Sequence, residues 1–136
     1  MADGGDLGIG ARLAIGGIAG LIATAALAST VRRLSAKAPG GAEPDALSIL
    51  APFAMGALCG ALLAAADARP GRVTGVLAGG GLWLGAEMGW LPVIAVRPVR
   101  GGPVRRSAAL LAGHVAWGWS AAEAIRELGE AASPRA

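Results

Sequence analysis

Residues Ala46–Ala66, ALSILAPFAMGALCGALLAAA, contain no charged side chain. A helix crossing about 30 Å of hydrocarbon needs about 20 mostly apolar residues, and this stretch meets that length. Three other runs resemble it: Leu13–Val31 (LAIGGIAGLIATAALASTV), Val73–Val96 (VTGVLAGGGLWLGAEMGWLPVIAV) and Ser107–Ile125 (SAALLAGHVAWGWSAAEAI). The fold class expected is therefore all-α: an integral membrane bundle of four transmembrane helices at about 13–31, 46–66, 73–96 and 107–126. The connections 31–46, 67–72 and 97–106 are short, so neighbouring helices should be antiparallel.

Composition agrees with this reading. The chain has 136 residues, of which 54% are hydrophobic and only 15% charged, with a mean hydropathy of +0.58. A soluble domain carries about 25% charged residues, and a disordered chain still fewer apolar ones. The length suits one membrane domain, 1–136. Residues 1–7 and 129–136 are expected to fray. Run 1 is read as a retained helix, because the acidic start MADGGDLG is a poor signal-peptide n-region.

Breakers fall where the runs end. Pro44 lies in the first connection and Pro70-Gly71 in the second, while Pro98, Gly101, Gly102 and Pro103 lie in the third. Pro52 and Pro92 fall within apolar runs, where neighbouring helices can satisfy the freed carbonyls.

The net charge of +3 does not point to nucleic acid, because the arginines cluster at the ends of apolar runs instead of forming a stripe with aromatics. Seven cations (Arg32, Arg33, Lys37, Arg97, Arg100, Arg105, Arg106) fall in the first and third connections. Five (Arg12, Arg69, Arg72, Arg126, Arg135) fall on the other side. The positive-inside rule then sets those two connections in the cytoplasm and both termini outside.

Glycine spacing suggests how the helices pack. Gly16/Gly20, Gly56/Gly60 and Gly75/Gly79 are four residues apart, and Gly81, Gly85 and Gly89 extend the pattern as a ladder. Bare ridges let backbones approach, so packing replaces the hydrophobic drive that lipid does not supply. Trp90 and Trp119 read as interfacial anchors, and Trp83 as a packing or lipid contact.

No nucleotide-binding loop, hydrolase set or paired active-site carboxylates stand out, so no enzyme is expected. The single Cys59 excludes an internal disulfide, and one Cys with one His cannot build a zinc site. Glu87 and His114 are the intramembrane ionisable pair. They lie roughly 13 and 10 Å from the same face at 1.5 Å per residue. They can be a proton-accepting pair or a buried pair that fixes helix register. His114, with Trp117 and Gly118 one turn on, is also a candidate cofactor ligand, for a tetrapyrrole or in a quinone-holding subunit. Glu123 and Arg126 read as a solvated helix-end pair.

The segment Gly113–Leu128, GHVAWGWSAAEAIREL, resembles the last helix of the YagU family of bacterial inner-membrane proteins, through Gly113, His114, Trp117, Trp119, Ser120, Glu123, Ile125 and Arg126. Gly75–Pro98 is similar to that family's preceding helix, through Gly75, Leu77, Ala78, Gly79, Leu84, Met88, Pro92 and Pro98. The likeness covers about the last 60 residues. The first connection is shorter here and the 97–106 connection more basic. The resemblance implies a multi-pass protein of the bacterial inner membrane, loosely tied to acid tolerance and without enzyme activity.

Three functions remain open. The first is a non-catalytic accessory or structural subunit that packs through glycine faces, with the bilayer and other membrane helices as partners in a homo-oligomer or a larger complex. The second is a small transporter or proton conductor using Glu87 and His114. The third is the tetrapyrrole- or quinone-binding subunit. The cofactor, if any, is not legible.

Overall fold

The structure is a computed structural model that describes residues 7–35, 46–88 and 103–133. Among them are four α-helices and no strand: α1 (Ile9–Ser35), α2 (Ala46–Ala66), α3 (Arg72–Glu87) and α4 (Pro103–Ala132). α2 has the expected bounds. α1 is longer than expected at both ends. α3 stops at Glu87, well before residue 96, and Met88 forms its C-cap with its N–H bonded to Leu84 O at 2.9 Å. Residues 89–96 of the expected third span lie outside the described residues, as do Gly89, Trp90 and Pro92.

Two expectations near α4 need correction. α4 starts at Pro103, four residues before the expected 107, so this proline begins the helix instead of lying in the connection. Its missing N–H costs nothing there, since the first-turn donors of a helix have no partner in any case. The tail was expected to fray from residue 129. Instead α4 runs to Ala132, and Ser133 bonds back to Gly129 O through both its N–H and its hydroxyl. Pro52, inside α2, faces outward.

The helices pack in the order α2–α1–α4–α3. α1 lies along α2 and α4, and α3 lies along α4, whereas α2 and α3 share no packed seam. Contacts fix the directions. Gly16 meets Gly60 while Gly20 meets Gly56, and Gly75 meets Gly118 while Gly79 meets His114. Thr24 meets Trp117 while Leu27 approaches Gly113. Each partner number falls as the other rises, so all three pairs are antiparallel, as the short connections require.

The turn from α2 to α3 is closed locally. Asp67 N–H completes the last turn of α2 by bonding to Leu63 O at 2.9 Å. The Asp67 carboxylate accepts from Arg69 N–H at 3.0 Å, a side-chain turn of the Asx kind. Pro70 behind it is fully buried.

Small side chains point inward and large ones outward. Ala19, Ala23, Ala64, Ala121 and Ala122 are at most 2% exposed, and Leu63, Trp117 and Ile125 complete the core. Leu47, Leu50, Val73 and Leu77 are each more than 60% exposed. Two helices are long and apolar enough to cross a membrane, over Ile9–Ser29 and Ile49–Ala66, with mean hydropathies of 1.7 and 2.1. The 16 described residues of α3 span about 24 Å at 1.5 Å per residue.

Candidate functional site

Three of the glycine pairs form the seams. A methyl group on Gly16 or Gly20 would strike the carbonyls of Gly60 and Gly56, and one on Gly60 would strike Gly16 O and the Gly20 backbone. On α3, Gly75 and Gly79 press on the carbonyls of Gly118 and His114. Gly118 is thus the α4 half of the second seam. It repeats the small-residue spacing with Ala122, and that spacing was the signal available in the sequence.

The ladder beyond Gly79 behaves differently. Within the chain, Gly81 is exposed and a Cβ there would meet nothing within 4 Å. The close contact expected at Gly81, within the chain or between copies, is not made by the described residues. The reason is rotation: at 100° per residue, Gly81 stands about 160° around α3 from Gly79, on the far side from α4.

Gly81 and half-buried Gly85 instead line an open apolar groove between α2 and α3, of about 420 Å³. Cys59, Leu62 and Leu63 form its α2 wall. Ala78 and Leu82 join the glycines on α3, and Trp117 of α4 lies behind. Among the described residues, no ionisable group other than the Cys59 thiol lines it. Leu63 and Trp117 belong to the core, and Cys59, Ala78 and Leu82 pack against it, so the groove is a gap in the core's own surface.

Trp117 also makes the buried hydrogen bond that joins the two halves. Its Nε1–H donates to Thr24 Oγ1 at 3.1 Å, and the Thr24 hydroxyl donates to Gly20 O at 2.8 Å. Thr24 extends the Gly16/Gly20 register by one more step of four, a pattern that reading for glycine alone passes over. Trp83 Nε1 is also buried but has no hydrogen-bond partner among the described residues.

Glu87 and His114 do not meet. Glu87 is exposed at the end of α3 and joins no ion pair or hydrogen bond among the described residues. His114 is half-buried, and its Nδ1 lies 2.8 Å from Leu110 O, its own helix's carbonyl one turn back. With Nδ1–H donating there, Nε2 is the ring nitrogen left for a ligand. Matching depth on two helices does not set the azimuth. Glu87 stands about 80° around α3 from Gly79, which marks the seam with α4.

The ion pairs among the described residues lie toward one end of the bundle, where α1 begins, the 67–71 turn crosses and α4 ends. Arg72 Nε donates to Glu123 Oε1 at 2.5 Å, and Arg126 Nη2 donates to Glu123 Oε2. Glu123 thus serves two helices, more than the local pair expected with Arg126. Its carboxylate raises the Arg72 pKa, by hydrogen bond first and charge second, against a small opposing effect of burial. The Arg72 guanidinium also lies 5.8 Å from the Trp119 ring centroid, a cation–π contact. Trp119 is 49% exposed, as an interfacial side chain would be.

No family model, curated protein or solved structure matches this chain. Among the described residues, no three His, Cys, Asp or Glu side chains group to hold a metal ion. Groove, seams and charged rim are therefore the features from which a function is argued.

Proposed function

We propose that this chain is a non-catalytic, multi-pass integral membrane protein, an accessory or structural subunit whose α2–α3 groove receives a partner membrane helix. The observation that carries this is the inverted distribution of bulk. Alanines and glycines make up most of the interior, with Leu63, Trp117 and Ile125, while most of the large leucines, isoleucines and valines lie on the outside. In water that surface would be a very large apolar patch; in lipid it is the ordinary exterior, and close packing of small residues supplies the association energy. The two strongly apolar helices and the likeness of residues 75–98 and 113–128 to inner-membrane YagU proteins support the same reading. Four membrane crossings, one by each of α1 to α4, are part of the proposal.

A helix suits the groove because this chain covers each of its three bare glycine pairs with a helix, and Gly81/Gly85 repeats the same spacing. The groove walls continue the core, so an inserted side chain would extend packing already begun.

Alkaline carbonate extraction of membranes tests the central claim. The chain should stay in the pellet. Release into the supernatant would show a peripheral or soluble protein and end this reading.

A further inference from the structure

The rim holds a second feature. Arg12 from α1, Arg69 from the 67–71 turn and Arg126 from α4 line one shallow cleft with Leu7, Gly129 and Ser133. We propose that this cleft binds a phosphate oxyanion, presented by an anionic lipid headgroup or free in solution. The lipid source rests on the membrane reading above; the phosphate chemistry does not.

Among the described residues, three guanidiniums from three segments and one carboxylate, Glu130, line the cleft. Nearby acids are partly engaged. One oxygen of Asp67 is bonded to Arg69 N–H, and Glu123 is shared by Arg72 and Arg126. Two of the cations are oriented in advance: Arg12 Nε donates to Leu7 O at 3.0 Å, and Arg126 is held by Glu123. The Arg69 side chain is exposed, with no hydrogen bond or ion pair among the described residues, on a turn anchored by buried Pro70.

Planar guanidinium forks match the oxygens of a phosphate, and anchored ones lose less freedom on binding. If the chain spans the bilayer, the start of α1 and the end of α4 set this cleft at headgroup level, where phosphates are abundant.

The test uses the full chain in nanodiscs of phosphatidylcholine, with or without phosphatidylglycerol, read by lipid retention in native mass spectrometry and by thermal melting. A parallel arm adds inorganic phosphate to phosphatidylcholine discs at constant ionic strength. Preferential retention of phosphatidylglycerol identifies the lipid source. A rise in melting temperature with inorganic phosphate, without that retention, identifies the free ion. Arg69→Gln should weaken whichever binding is seen by about three- to fivefold, the scale of one exposed charge contact. Glu130→Gln should strengthen it, a gain that misfolding cannot imitate. No preference for either anion, or binding unchanged in both variants, overturns the proposal. Carbonate extraction reports separately on the membrane reading, and a chain that fails it can still bind phosphate here.

Discussion

The Trp117 indole N–H and the Thr24 hydroxyl meet at 3.1 Å in the buried centre of the bundle, joining α4 to α1 across 93 positions of sequence. The threonine hydroxyl passes its own hydrogen to Gly20 O, so both groups are satisfied without water. A lone polar group there would be costly, and mutual satisfaction fixes how far α1 and α4 can slide.

A double-mutant cycle measures that bond. Thr24→Val removes the acceptor and leaves the Trp117 N–H buried without a partner. Trp117→Phe removes the donor together with some core volume. The cycle cancels the volume effect, and a coupling of about 0.6–1.5 kcal/mol is expected from melting in detergent. Additive effects of the two substitutions would show that the bond contributes nothing.

Glycine substitutions should have opposite signs at two positions that look alike in the sequence. Gly60→Ala drives a methyl into Gly16 O and the Gly20 backbone, and should destabilise by about 1–3 kcal/mol. Gly81→Ala meets open space, and should stabilise the isolated chain by about 0.5–1 kcal/mol through helix propensity. Melting temperatures that move in the same direction would contradict the seam assignment.

Filling the groove separates assembly from folding. Gly81→Leu with Gly85→Leu adds bulk where none of the described residues packs against Gly81. The variant should remain in the carbonate pellet and fold, yet sediment in mild detergent as a smaller species than the parent. An unchanged sedimentation coefficient would mean that no helix enters the groove.

The antiparallel order sets the start of α1, the 67–71 turn and the end of α4 at one end of the bundle. In a Cys59→Ala background, Ala68→Cys and Ser133→Cys should react with an impermeant maleimide from the same side of the membrane. By the positive-inside rule, the excess of cations on the 31–46 and 97–106 connections predicts that this side is the outside. Labelling from opposite sides would break the four-span topology. Labelling of both from the cytoplasm would invert it.

The sequence by itself determined the all-helical class, the bounds of α2, the antiparallel order and the seam glycines Gly16, Gly20, Gly56, Gly60, Gly75 and Gly79. These follow from local properties: an uninterrupted apolar run sets a helix, a short connection turns it back, and a spacing of four keeps two bare positions on one face. Only the tertiary structure decided which faces are covered. Gly81 and Gly85 have the same spacing as Gly75 and Gly79 but look across an open groove. Glu87 and His114 have matching depths but do not meet, while Thr24 and Trp117 do. Depth along a helix accumulates residue by residue and can be counted, whereas the rotation that brings two faces together is set by the packing of every side chain along the seam.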